Sequence, residues 1–234
     1  MPDTSLPRCF ALVPCAGIGA RSGAALPKQY VPIAGKAMVA HTLEALSRVP
    51  RLVEILVVLA PDDALFEAAV PGFEGLRCRV ARCGGATRAK TVAQGLAVLA
   101  SRGAGADDWV LVHDAARCLV RPQWVERLIA ACSSDPVGGL LALPLADTLK
   151  QEHAGRAAAT LSRDAMWAAQ TPQMFRLGLL REALARAGAG VTDEASAIEA
   201  SGHAPLLVRG ELENFKLTHA GDFELAQRLL RTPS

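Results

Sequence analysis

Two stretches of this 234-residue chain carry residues whose type and spacing could do chemistry. The first is a glycine-bearing loop with Pro14, Ala16, Gly17, Gly19 and Arg21 in quick succession, followed by Pro27, Lys28, Gln29 and Tyr30. Glycines after a strand let backbone N–H groups approach a phosphate closely. Two fixed cations, Arg21 and Lys28, would stabilise the charge on a triphosphate under attack. The second stretch is His113, Asp114, Ala115, Ala116 and Arg117. A carboxylate at the carboxyl end of a strand faces the crevice in which open parallel sheets bind their ligands. Beside a triphosphate, Asp114 would hold Mg²⁺ or a sugar hydroxyl; in the plainer reading it caps the next turn. His113, last in an apolar strand, reads as a core residue.

Other phosphate loops fit less well. Gly17 and Gly19 match the first and third positions of the dinucleotide fingerprint, but Ser22 occupies the sixth. Gly23 and Pro27 break the long helix that should follow, which disfavours a nicotinamide-dependent oxidoreductase with Asp62 as its ribose acid. The P-loop pattern is absent. Aromatic residues make up 4% of the chain, and no block of Lys or Arg forms a patch, which counts against a base-stacking nucleic-acid platform. No apolar run is long enough to span a bilayer. The apolar run after Arg8 is interrupted by Pro14 and glycines, which argues against a secretion signal. The six cysteines lie at 9, 15, 78, 83, 118 and 132, without the spacing of a zinc site. They read as scattered thiols of a reducing cytoplasm.

The elements that must position these residues follow from periodicity. With 51% hydrophobic residues and a net charge of +2, the chain is globular, apart from a loose tail over residues 1–7. Buried strands are expected at 9–13, 54–59, 77–81, 109–113 and 139–145. Helices are expected at 38–47, after Pro61, at 87–99, at 122–132, at 177–186, at 194–201 and at 222–230. Apolar strands alternating with helices indicate an α/β fold: a Rossmann-like, mostly parallel sheet flanked by helices. After Leu145 two short polar-apolar alternations, 147–151 and 157–161, read as a β-hairpin leaving the body. The organisation expected is one domain, 8–234, with a projecting arm at about 146–162.

At this point the residues resemble a known family. The stretch from Pro14 to Tyr30 looks like the nucleotide loop of the small sugar-phosphate nucleotidyltransferases, and the stretch from His113 to Arg117 narrows this to cytidylyltransferases. The match continues in order through Asp147 and Thr148, through Arg163 ahead of Trp167, and through Thr171, Pro172, Gln173 and Phe175. Thr192, Asp193, Glu194 and Ala195 follow, and then Asn214, Lys216 and Thr218. Over residues 8–231 the chain is similar to the cytidylyltransferases that act on 2-C-methyl-D-erythritol 4-phosphate in non-mevalonate isoprenoid synthesis.

The resemblance implies that CMP passes from CTP to the sugar-alcohol phosphate and pyrophosphate leaves. It implies that Arg21, Lys28 and Lys216 are the catalytic cations, the first two as transition-state stabilisers, with Mg²⁺ bridging the phosphates beside Asp114. CTP would lie against Pro14, Ala16, Gly17, Gly19, Gly85, Thr91, Asp114 and Ala115, with Arg88 as a support residue. Arg163 and Thr171 would position the sugar phosphate, joined by Asp114, Thr148 and Thr192. The arm would embrace a second copy, making a homodimer. Cys15, Cys118 and Ala86 depart from the family's usual residues, and Ala86 puts a ribose contact in doubt. The chain ends at Ser234 soon after the last helix, which suggests a monofunctional enzyme. The nearest alternative is another pyrimidine nucleotidyltransferase, such as one acting on ribitol 5-phosphate.

Overall fold

The computed structural model describes residues 7–17, 26–187 and 191–231. In chain order these form β1 (Cys9–Pro14), a small hairpin of β2 (Pro32–Ile33) and β3 (Lys36–Ala37), α1 (Met38–Ser47), β4 (Leu52–Val58), α2 (Phe66–Ala69), β5 (Cys78–Ala81), α3 (Arg88–Ser101) and β6 (Trp109–Val112). There follow α4 (Pro122–Cys132), β7 (Gly138–Pro144), β8 (Leu149–His153), β9 (Arg156–Leu161), β10 (Trp167–Arg176), α5 (Leu177–Arg186), α6 (Glu194–Ala200), β11 (Leu206–Arg209) and α7 (Ala220–Arg231). Seven strands make one sheet in the order β11-β7-β10-β6-β1-β4-β5.

The central strands are unbroken apolar runs because both faces of the sheet are covered. Along β1 the side chains divide by period two. Ala11 and Val13 join the core beneath α1 and α4, with Leu46, Leu128 and Ile129. Phe10 and Leu12 join the opposite core beneath α3, α5 and α6, with Leu96, Leu180 and Ile198. A third cluster ties α7 to the front of the sheet through Ile33, Met38, Leu217 and Ala226. Helix starts follow their local signals. Pro122 opens α4, the Thr87 side chain caps α3 by accepting from the Lys90 N–H, and Asp193 with Ser196 forms a capping box on α6.

β1 runs parallel to β4 and β6, β4 to β5, and β11 to β7, as the apolar pattern predicts. β10 is the departure: it lies between β6 and β7 and is antiparallel to both. Its polar, proline-bearing sequence gives no strand signal. It is tolerated inside the sheet because its buried amides find partners. Gln170 Nε2 donates to the Glu211 carbonyl at 2.9 Å, and Gln173 Oε1 accepts from the Ala195 N–H at 2.7 Å. The pairing with β7 shifts register between Ala169 and Gln173, where Pro172 has no N–H to offer. The edge strand β11 is likewise absent from the sequence reading. The helix expected after Pro61 shrinks to the single turn of α2, in which Phe66 is the buried residue; Asp63 instead accepts from the Leu65 and Phe66 N–H groups.

β8 and β9 form the expected antiparallel hairpin. Ala154 (φ 49°) and Gly155 (φ 76°) make its two-residue turn, the left-handed pair that matches the twist of a hairpin. Every residue of β8 and β9 is exposed apart from the half-buried Leu149.

One backbone crossing sets how closely β7 and β10 approach. Gly138 has φ 106°, and a Cβ there would sit 2.1 Å from the Met174 carbonyl oxygen. Gly138→Ala should destabilise the protein by more than about 2 kcal/mol. A urea midpoint unchanged from wild type would contradict this tight crossing.

Candidate active site

The carboxyl ends of β1 and β6 open into a cleft of about 760 Å³. Pro14, Ala16 and Gly17 form one wall, Gly85, Thr87, Arg88 and Thr91 a second, Asp114 and Ala115 the floor, and Lys28 and Lys216 also line it. Each wall is pinned by backbone. The Cys15 N–H donates to the Val58 carbonyl at 2.7 Å, and the buried Gln29 amide donates to the Cys15 carbonyl at 2.9 Å. A Cβ on Gly84 would lie 2.2 Å from the Ala16 Cβ, so only glycine lets the two loops close on each other. Cys15 is 3% exposed and burial pushes its thiol up, so it packs as an apolar residue and offers no nucleophile.

Asp114 is the electrostatic centre. Its Oδ1 accepts from Arg88 Nε at 2.8 Å and its Oδ2 from Lys216 Nζ at 2.7 Å. Arg88 also grips Glu194 with both terminal nitrogens, at 2.7 and 2.9 Å. Burial opposes ionisation of Asp114, but Arg88 and Lys216 outweigh it and hold the carboxyl well below the usual carboxylate range. Burial likewise works against the charge on Arg88, and Glu194 and Asp114 more than restore it.

A second chain of bonds holds the Asp114 backbone. The carbonyl of Arg117 can only accept, so His113 Nε2, 3.2 Å away, carries the ring hydrogen. His113 Nδ1 then accepts from the Thr171 hydroxyl at 3.1 Å, and Thr171 Oγ1 accepts from the Asp114 N–H at 3.0 Å. The Thr171 hydrogen is therefore committed. The buried Asn214 donates to the Thr171 carbonyl at 2.9 Å, and the Leu217 N–H donates to the Ala116 carbonyl at 2.9 Å, which brings Lys216 over Asp114.

Of the residues expected from sequence, Pro14, Ala16, Gly17, Lys28, Gly85, Thr91, Asp114, Ala115 and Lys216 all line this cleft. Thr91 is 2% exposed and its hydroxyl is spent on the Gly85 N–H and the Thr87 carbonyl, so it closes the loop from within. Thr171 sits beneath Asp114. Thr192 lines a neighbouring cleft of about 500 Å³ behind Arg88. Thr148 and Arg163 are exposed at the two ends of the hairpin arm, away from both clefts. Gly19 and Arg21 lie outside the described residues. Gln29, Glu194 and Asn214 belong to the motifs matched in the sequence, but their spacing assigns none of them a role; the structure does, by giving each a buried partner. Each is a polar side chain less than a tenth exposed, which spacing does not reveal.

Among the described residues no three His, Cys, Asp or Glu side chains gather into a metal cluster. Asp114 is the one carboxylate among the described residues that line the cleft. That donor set suits a Mg²⁺ ion carried largely by phosphate oxygens and water, with one protein carboxylate.

His113 supplies a pH test. Burial pulls its imidazole down to about 4, against an ordinary value near 6.5 in the unfolded chain. Between these values the unfolded chain binds the extra proton. The stability that the neutral ring contributes is therefore complete above about pH 6.5 and is lost as pH falls towards 4. Urea unfolding from pH 7 to pH 4.5 should show this decline, and His113→Gln should flatten it. Equal slopes in the two proteins would contradict the buried neutral ring.

Known proteins resemble this chain over nearly its whole length. Residues 9–232 match the family model described as IspD: 2-C-methyl-D-erythritol 4-phosphate cytidylyltransferase. A bifunctional enzyme IspD/IspF of Albidiferax ferrireducens is 58% identical over 99% of the chain, which spans 55% of that longer protein. A 2-C-methyl-D-erythritol 4-phosphate cytidylyltransferase of Burkholderia cenocepacia is 54% identical over 97% of the chain and 98% of its own length. Among solved structures, a 4-diphosphocytidyl-2C-methyl-D-erythritol synthase superposes with TM-score 0.86 at 41% identity, covering 96% of this chain and 98% of that one. The Thermus thermophilus 2-C-methyl-D-erythritol 4-phosphate cytidylyltransferase gives TM-score 0.79 at 33% identity, covering 96% and 100%. Matched in sequence over nearly its whole length and in fold to solved structures, the chain belongs to the 2-C-methyl-D-erythritol 4-phosphate cytidylyltransferase family, whose members transfer a cytidylyl group from CTP to that sugar-alcohol phosphate.

Proposed function

We propose that the cleft at the ends of β1 and β6 is where this chain carries out that transfer. The observation that carries the reading is an ionised Asp114 held between Arg88 and Lys216, opposite a glycine-bearing loop and Lys28. A phosphate oxygen of methylerythritol phosphate attacks the α-phosphorus of CTP. The new P–O bond forms as the bond to the β-phosphate bridging oxygen breaks, and pyrophosphate leaves with the electron pair. The nucleophile is already an anion, so no general base is needed. Positioning and charge neutralisation supply the catalysis.

Arg21 and Lys28 bind the triphosphate and stabilise charge on the α-phosphate and the leaving group, with Lys216 as the third cation. Backbone groups of residues 14–17 and 84–86 enclose the cytosine. Asp114 would hold Mg²⁺ together with the phosphates, and the ion would add charge neutralisation there. Arg163, Thr148 and Thr192 handle the sugar phosphate, Thr171 acting through the Asp114 backbone. Because Arg163 and Thr148 stand at the exposed arm, they reach a cleft by crossing to a second copy of the chain. Leu161, Met166 and Trp167, each more than a third exposed, give the arm an apolar surface for that exchange. We assign the protein to the cytoplasm; its six cysteines are unpaired, and no helix among the described residues is long and apolar enough to cross a membrane.

Pyrophosphate release with CTP, Mg²⁺ and methylerythritol 4-phosphate tests the reading, run beside ribitol 5-phosphate. Release with the methylerythritol phosphate alone supports it, and release with ribitol phosphate alone overturns the acceptor. Lys28→Ala and Lys216→Ala should each lower kcat by about 10² to 10³. Arg163→Ala should raise the KM for the sugar phosphate and leave the KM for CTP near its wild-type value. A chain that is monomeric by light scattering yet fully active would remove the arm exchange.

A further inference from the structure

We propose that Glu194 is a positioning residue for the transfer: it fixes the plane of the Arg88 guanidinium and so aims the Asp114 carboxylate into the cleft. The inference rests on the cleft being the CTP site. Glu194 is 1% exposed and opens α6, more than a hundred residues from Arg88 in the chain. Both its oxygens are spent on Arg88, one on each terminal nitrogen, and Arg88 directs its remaining Nε–H at Asp114 Oδ1. A bidentate pair fixes a planar guanidinium in orientation as well as in place. The α6 N-terminus that carries Glu194 is itself held, because the Ala195 N–H donates to the buried Gln173 of β10.

The two cations on Asp114 are not equivalent. The Lys216 side chain is 45% exposed, whereas the Arg88 side chain is 27% exposed and clamped from behind. When a triphosphate draws Lys216 away, Asp114 depends on Arg88 for its orientation. Arg88 cannot follow Lys216, because Glu194 retains it.

Charge alone predicts the opposite outcome. Arg88 and Lys216 are balanced by Asp114 and Glu194, so removing the negative charge of Glu194 leaves the site more positive and more attractive to a triphosphate. A positioning role instead makes neutralisation harmful, since an amide offers one acceptor and sets a donor against a guanidinium nitrogen.

Turnover on CTP is therefore to be measured in wild type, Glu194→Gln, Arg88→Met and the double variant, with unfolding midpoints taken alongside. Glu194→Gln should lower kcat/KM for CTP by about tenfold or more, and the double variant should lose no more than the worse single one. Asp108→Asn, which breaks the Arg8 pair beyond the opposite end of β6, controls for lost stability. It should lower the midpoint and keep kcat/KM within about twofold. Should Glu194→Gln not accumulate as folded protein, Glu194→Asp, one methylene short, carries the same test. Tighter or unchanged CTP use in the Glu194 variant, or losses that multiply in the double variant, overturns the proposal. An inactive wild type would instead sink the assignment of the cleft.

Discussion

The site is built around a carboxylate that has been taken out of water. Asp114 sits at the end of the apolar strand β6, 7% exposed, where an unpaired charge would cost several kcal/mol. It remains ionised because Arg88 and Lys216 each meet one of its oxygens. Asp114 and these two partners come from three separate parts of the chain, and Glu194 adds a fourth. Satisfying one charge therefore obliges β6, α3, α6 and the segment before α7 to meet at one place. The Asp114 N–H, which donates to Thr171 Oγ1, and the Asn214 amide, which donates to the Thr171 carbonyl, then secure the backbone at the same point.

That requirement also explains β10. An antiparallel strand carrying Gln170, Thr171 and Gln173 is an unusual choice for the interior of a parallel sheet. Its polar side chains are the bracket beneath Asp114 and the tether of α6, and each is hydrogen-bonded. A wholly apolar strand would pack there without difficulty but would leave the His113 ring and the Asp114 N–H without their partner. The sheet gives up some regularity, including a register shift at Pro172, to hold the carboxylate.

The parts of the fold legible in the sequence are those set by local pattern. The limits of α1, α4 and α5 coincide with the apolar periodicity, and the hairpin of β8 and β9 falls where polar-apolar alternation resumes. β10 and β11 were illegible because their pairing is decided by distant partners. The short α2 was over-read, since a proline followed by acids starts a helix only where an apolar face follows to sustain it. At the site, chemistry-bearing types were legible: Lys28, Asp114 and Lys216 do share a cleft. The roles of Thr91 and Thr171 were not, because spacing shows that a hydroxyl exists without showing where its hydrogen is spent. Glu194 and Asn214 belong to the same class, buried polar groups whose meaning lies wholly in their partners.

The loop after β1, the turn leading into α3 and the end of β6 together form one nucleotide-binding surface. Amide hydrogen exchange of the protein with and without CTP tests it most directly. Bound CTP should add protection at residues 14–17, 84–91, 114–117 and 216–218 and leave β11 unchanged. Protection confined to other segments, with these four unaltered, would contradict it.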